Sequence, residues 1–234
     1  MFYLMVIAHL IGDYLLQFNC IARWKARSVW GVVAHGAIVT ATAWVCTLLF
    51  APAWWTYALL IGVLHTGIDI IRARLIHPTS ATSDLVYYGL DQAVHIIIIG
   101  LVVHISDPAT APYRFATFLT PRVLGFAIGY LMLLQPSWVM LRFTVRGLWG
   151  ETAAPHLGAG EKFEPMLERV LITTSVMFGH FYLIPLILLP RRVSGIQVQS
   201  NGMAMWMRLT AHWAETFMSV LVAISVGLVL RIIL

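Results

Sequence analysis

Residues 28–50 read SVWGVVAHGAIVTATAWVCTLLF, an apolar run of the length that a helix needs to cross a bilayer. Its one histidine is His35, and it contains no Asp, Glu, Lys or Arg. Further apolar runs of similar length follow one another along the chain, at about 2–18, 54–76, 85–105, 122–142, 166–189 and 213–234. The sequence therefore predicts an all-α protein, a polytopic integral membrane helix bundle with about seven transmembrane helices.

The composition supports the same class of protein. Of the 234 residues, 60% are hydrophobic and 11% are charged, whereas a soluble domain is about 25% charged. The net charge of +5 would suggest a nucleic-acid partner in a soluble protein. In a membrane protein, basic residues in cytoplasmic loops and anionic lipid headgroups account for it. We therefore expect membrane lipids as partners and no nucleic acid.

The distribution of polar segments predicts the organisation of the chain. Residues 1–106 form a four-helix half and residues 107–234 a three-helix half with interfacial connections, in a single membrane domain. Lys and Arg residues are more numerous in the odd-numbered connections than in the even-numbered ones. That bias places the N-terminus outside and the C-terminus in the cytoplasm. Pro136 is expected to kink the fifth helix.

Four histidines and three aspartates lie well inside the first four apolar runs, where each is costly and therefore marks a candidate functional site. They are His9, Asp13, His35, His65, Asp69, Asp91 and His95. Three histidine–aspartate pairs share a spacing of four residues, which places both members on one face of a helix. The predicted topology also places the side chains of all four runs at about the same depth below the cytoplasmic boundary, so we expect them to lie close together.

These side chains form a ligand set suited to divalent metal ions. Histidine and carboxylate bind Zn²⁺, Mn²⁺ or Fe²⁺, and seven ligands are enough for one ion or two. Neutral imidazoles do not offset the aspartate charges unless they are protonated or a cation binds between them. The alternative is a set of hydrogen-bonded pairs that join the helices without a metal.

Four further polar residues lie near this set. Gln17 follows Asp13 by one turn and could support a ligand, contact substrate or simply pack between helices, and Gln92 neighbours Asp91. Lys25 and Arg72 are close enough to the site to meet an anionic substrate group. Arg72 could instead extend to the membrane interface.

The same residues resemble a bacterial membrane family, domain of unknown function 3307. The resemblance rests on His9-Leu-Ile-Gly-Asp13-Tyr-Leu-Leu-Gln17, Lys25, His35, His65-Thr-Gly-Ile-Asp69 and Asp91-Gln92-Ala-Val-His95, and continues in Glu168-Arg169 and Ala214-Glu215. Arg72 stands where that family commonly has a lysine. The helices are also similar in style to LexA-regulated membrane-bound metal-dependent hydrolases. The resemblance implies a metal-bearing protein of the bacterial inner membrane, and a hydrolase by analogy.

We therefore expect an intramembrane hydrolase in which the metal activates a water that attacks a lipid-type substrate from the cytoplasmic leaflet. An aspartate that is not needed as a ligand would be the general base, and the candidates are Asp13, Asp69 and Asp91. Two alternatives stay open. One is a non-catalytic subunit with protein partners in a larger membrane complex. The other is a transporter for divalent metal or protons.

Overall fold

A computed structural model describes residues 1–75, 80–106, 114, 117–150, 162–190 and 203–234, and no β-strand occurs among them. The predicted all-α class is confirmed. The helices are α1 (Phe2–Leu10), α2 (Asn19–Lys25), α3 (Val29–Phe50), α4 (Trp55–Leu75), α5 (Ala81–Ile105), α6 (Pro121–Leu133), α7 (Gln135–Trp149), α8 (Phe163–Met177), α9 (Ile184–Ile187) and α10 (Met203–Ile233).

Three helices in these ranges are long and apolar enough to cross a membrane, namely α3, α5 and Leu209–Ile233 within α10. Two broken pairs, α1 with α2 and α6 with α7, raise the number to five if each pair is one span. The helices are compatible with a membrane protein, but the prediction of about seven spans is not confirmed. Helix α4 has 21 residues and is not among the candidate spans, and it carries Asp69, Arg72 and Arg74 near its end.

The prediction of a single helix over residues 166–189 is wrong. Helix α8 ends at Met177, and Gly179 adopts a left-handed backbone conformation with φ of 79°. The N–H of Gly179 donates to the Val176 carbonyl at 3.0 Å, and the N–H of His180 donates to that of Ser175 at 2.7 Å. A left-handed glycine that satisfies the last carbonyls is a common helix terminator. The continuous hydropathy of this stretch conceals the break.

The chain divides into two compact units, one formed by Met1–Pro78 with Tyr87–Leu131 and the other by Thr79–Val86 with Met132–Leu234. In the second unit the predicted break beside Pro136 is confirmed, since α6 and α7 are separated at Leu134. Arg169 is 1% exposed and donates to the carbonyls of Leu133 and Leu134 at 2.7 and 3.2 Å. The buried guanidinium thus satisfies backbone groups that the helix break releases.

In the first unit, α3 and α4 approach closely through a reciprocal pair of glycines and threonines. A Cβ atom on Gly36 would overlap the side chain of Thr66, and a Cβ on Gly62 would overlap that of Thr40. Each threonine hydroxyl donates to the glycine carbonyl four residues before it in its own helix. Small residues at such spacing let helix backbones approach in membranes. The contact brings the neighbouring residues His35 and His65 toward each other.

Candidate functional site

The first helix changes its winding where the site begins. After Leu10 the chain forms a π-helical turn, Ile11–Leu15, in which the N–H of Leu16 donates to the Ile11 carbonyl at 2.9 Å. Such turns occur frequently at functional sites. Here the turn contains Asp13, and Gly12 lets the α1 backbone lie against Val39 of α3, because a Cβ there would be 2.9 Å from Val39 Cα.

The predicted position of Gln17 is wrong. The helical turn ends at Leu15, and the chain then bends by 88° into α2, so Gln17 does not share a helix face with Asp13. No hydrogen bond joins the Gln17 side chain to the cluster in the described part of the chain.

The first unit brings all seven predicted residues together, and each is at most 8% exposed. They are His9, Asp13, His35, His65, Asp69, Asp91 and His95. His65 lies at the centre, because its ring centroid is 4.1 Å from that of His95, 5.4 Å from that of His9 and 5.7 Å from that of His35. The expectation that these side chains meet is confirmed, whereas their common depth in a membrane stays a prediction.

Two histidines and two aspartates form the tightest part of the cluster. Nε2 of His35 lies 2.9 Å from Asp13 Oδ1 and 3.6 Å from Asp69 Oδ2. Nε2 of His65 lies 3.8 Å from the same Asp13 oxygen and 3.5 Å from the same Asp69 oxygen. Ligands about 2.0–2.2 Å from a tetrahedral metal are separated by roughly 3.3–3.6 Å. These four nitrogen–oxygen distances therefore bracket the spacing of a metal's ligand atoms.

Basic side chains neutralise two of the three aspartates, which the sequence did not reveal. Nζ of Lys25 lies 2.7 Å from Asp69 Oδ2, and Nη1 of Arg72 lies 2.9 Å from Asp91 Oδ2. Asp13 has no lysine or arginine partner among the described residues. The sequence did indicate that Arg72 lies near the cluster, because it follows Asp69 by three residues and so shares its helix face. Lys25 was predicted only to lie near the site, and its contact with Asp69 was not predicted because the bend before α2 determines where its side chain points.

Gln92 connects the separate pairs. Its Nε2 donates to Asp13 Oδ2 at 3.3 Å and to Asp91 Oδ2 at 3.2 Å. Its Oε1 lies 3.4 Å from Nε2 of His9, within hydrogen-bond distance. The amide therefore orients two carboxylates and one imidazole, a role that its position beside Asp91 in the sequence did not predict.

Several buried polar atoms of the cluster have no hydrogen-bond partner among the residues that the structure describes. They are Nδ1 of His35, Nε2 of His65, Oδ1 of Asp69, Oδ1 of Asp91 and both ring nitrogens of His95. Buried polar atoms are nearly always hydrogen-bonded, so each exception needs an explanation. A cluster of histidines and aspartates with six such buried atoms is chemically suited to bind a cation or to move protons.

Two sets of three residues have ligand atoms close enough to share one ion, and both contain His65. One set is Asp13, His35 and His65, and the other is His65, Asp69 and His95. A neutral imidazole has only one ring nitrogen with a free lone pair, so it binds one ion at a time. The two sets therefore compete for His65.

A small cavity lies against the histidine side of the cluster. His9, His65 and His95 form its polar wall, and its other lining residues are apolar: Met5, Val39, Ala43, Ile61, Ile98 and Ile99. The cluster thus lies between this apolar space and the side that carries Lys25 and Arg72.

One protein family, described as a protein of unknown function (DUF3307), matches residues 1–120. The matched range includes every residue of the cluster together with Lys25, Arg72 and Gln92. Glu168, Arg169 and Glu215, which also carried the resemblance, lie beyond it. The match does not address the similarity to LexA-regulated hydrolases, which stays a prediction. No curated protein and no solved structure matches the chain.

Proposed function

This chain belongs to the DUF3307 family of proteins of unknown function, and we propose that it is a membrane-embedded hydrolase that uses one divalent metal ion. The observation that carries the proposal is the convergence of Asp13, His35 and His65, three buried side chains whose ligand atoms lie within 4.8 Å of one another. The setting we propose is the bacterial inner membrane, with the N-terminus outside and the C-terminus in the cytoplasm. Helix α4 would also cross, because its 21 residues give a length of about 30 Å.

Charge selects between the two competing ligand sets. Asp69 already has an ammonium group at 2.7 Å, whereas no lysine or arginine of the described ranges lies within ion-pair distance of Asp13. A divalent ion therefore gains more from Asp13, with His35 and His65 as its nitrogen ligands. Two histidines and one carboxylate suit Zn²⁺, Mn²⁺ and Fe²⁺ and leave a position open for water. Because both sets need His65, the site takes one ion and not two.

Bound there, the metal would supply a water of lowered pKa. We assign Asp69 as the group that would accept a proton from that water, because its Oδ2 lies 3.6 Å from Nε2 of His35 and 3.5 Å from Nε2 of His65. Lys25 holds Asp69 in this position, and Arg72 holds Asp91. In such a hydrolysis the water oxygen would form a bond to the ester carbon or phosphorus as the bond to the alcohol oxygen breaks, and Asp69 would return the proton to that leaving oxygen.

The apolar cavity favours hydrolysis over transport. An ion path across the membrane would need polar groups beyond the histidines, but the cavity there is lined by Met5, Val39 and Ile99 among other apolar side chains. Apolar side chains such as Trp30, Ile97 and Leu101 are exposed on the long helices, as expected of surfaces that contact lipid. A lipid ester is therefore the substrate class that we propose.

The test is hydrolysis of fluorescent phospholipids, labelled on an acyl chain or on the headgroup, by metal-loaded protein in detergent. We expect Asp69→Asn to retain metal and lose about 100-fold or more in turnover, the range for removal of a general base. Asp84→Asn is the matched control, because Asp84 lies outside the cluster. A metal-loaded wild type that hydrolyses no lipid ester would overturn the enzymatic proposal and favour a subunit role in a membrane complex.

A further inference from the structure

Lys25 and Arg72 lie on the accessible side of the cluster. Their side chains are 21% and 27% exposed, whereas the carboxyl-bearing side chains that they contact are 1% and 5% exposed. The two cations are also neighbours in the fold, because Lys25 pairs with Asp69 and Arg72 follows Asp69 by one turn of α4. A ligand that approaches the buried cluster from this side meets both cations first.

Neither cation uses all of its hydrogen-bond donors for its aspartate partner. Arg72 uses Nη1 for Asp91, and its Nη2 and Nε have no hydrogen-bond partner in the described part of the chain. Lys25 donates to Asp69, and an ammonium group carries three donors. Both side chains therefore retain donors for a further acceptor.

The net charge of the cluster with a metal ion bound favours the binding of an anion. The three buried aspartates carry three negative charges and the two basic side chains carry two positive ones, which leaves one negative charge with neutral histidines. One divalent ion changes that balance to one positive charge. Such a charge is costly in a membrane unless an anion accompanies it.

We infer that Lys25 and Arg72 bind a phosphoryl group of the substrate, so that the lipid ester is a phospholipid. This inference rests on the proposed function, because the positive balance exists only with the metal bound. A phosphoryl group offers more oxygens than a carboxylate. It can therefore meet a guanidinium fork, an ammonium group and the metal site together.

The backbone around α2 fixes Lys25 for this role. A Cβ atom on Gly31 would overlap the backbone of Trp24 and Lys25, so only glycine allows α2 to end this close to α3. Gly31 is thus a positioning residue, and Gly31→Ala should weaken phosphate binding through Lys25 without removing a charge.

The experiment is calorimetric titration of metal-loaded protein with three probes: inorganic phosphate, dihexanoyl phosphatidic acid and neutral dihexanoylglycerol. We expect Lys25→Gln and Arg72→Gln each to weaken binding of both phosphate probes by about tenfold or more, in line with loss of a charged hydrogen bond. Arg27→Gln and Arg74→Gln are matched controls, since both arginines are exposed and lie two residues beyond the tested positions. Lys25→Arg should restore most of the affinity.

Tighter binding of phosphatidic acid than of inorganic phosphate would identify a lipid headgroup as the source of the phosphoryl group. Equal affinity for phosphatidic acid and inorganic phosphate would show that free phosphate is sufficient for binding. Metal-loaded variants that bind both phosphate probes as tightly as wild type, or a wild type that binds dihexanoylglycerol equally well, would overturn the inference and leave the metal site standing. A wild type that takes up no metal would overturn the proposed function and this inference with it.

Discussion

Nζ of Lys25 lies 2.7 Å from Oδ2 of Asp69, a side chain that is 1% exposed. The contact gives one buried carboxylate a counter-ion from within the protein. Asp13 is nearly as deeply buried but contacts only histidines and Gln92 among the described residues. The difference between the two aspartates is the basis for assigning Asp13 to the metal and Asp69 to proton transfer.

Loss of the Lys25 ammonium group should destabilise the protein. Breaking a buried ion pair costs about 3–5 kcal/mol, and the partial exposure of Lys25 reduces the expected loss for Lys25→Gln to about 1–3 kcal/mol. Thermal unfolding in detergent without metal measures it, with Arg27→Gln as an exposed control. Equal stability of Lys25→Gln and wild type would show that the pair contributes nothing to folding.

A methyl group at Gly36 should separate α3 from α4. Because its Cβ would overlap the stiff, β-branched side chain of Thr66, Gly36→Ala should cost about 1–3 kcal/mol and reduce metal uptake. Gly67→Ala is the matched control, since a Cβ there meets no atom within 4 Å, and it should be neutral or stabilise α4 by up to about 1 kcal/mol. If the two variants unfold at the same temperature, the close helix contact does not position the histidines.

In the second unit, Arg169→Met should lower the stability of the protein, because the guanidinium satisfies backbone groups at the helix break at Leu134. The variant leaves the carbonyls of Leu133 and Leu134 buried without this donor, at about 1–3 kcal/mol each. Differential scanning calorimetry should show a clear loss of stability. Arg231→Met, at an exposed position of α10, should change little, and an equally stable Arg169→Met would contradict the role of the guanidinium.

The cluster could be predicted from the sequence because the spacing of its residues along each helix is a local property. A spacing of four residues places His65 and Asp69 on one helix face whatever the rest of the chain does. The bounds of α3 and α4 were likewise predicted within one residue, since long apolar runs leave little choice of structure.

What the sequence did not predict depends on tertiary contacts or single backbone conformations. The left-handed Gly179 ends α8 inside a stretch of unbroken hydropathy. The bend after Leu15 removes Gln17 from the face of Asp13 and brings Lys25 to Asp69 instead. None of these contacts follows from periodicity, because each joins residues across a turn or between helices.

Metal binding through Asp13 is tested by the metal-to-protein ratio of wild type, Asp13→Asn and His95→Ala, measured by inductively coupled plasma mass spectrometry after purification without chelator. We expect about one ion per chain in wild type and in His95→Ala, and almost none in Asp13→Asn. Asp13→Asn should still fold, because it removes the one carboxylate of the three that has no lysine or arginine in contact with it among the described residues, and thermal unfolding in chelator checks this. Metal retained in Asp13→Asn but lost in His95→Ala would place the ion on His65, Asp69 and His95 and contradict the assignment. No metal in wild type, even after reconstitution, would contradict the account as a whole.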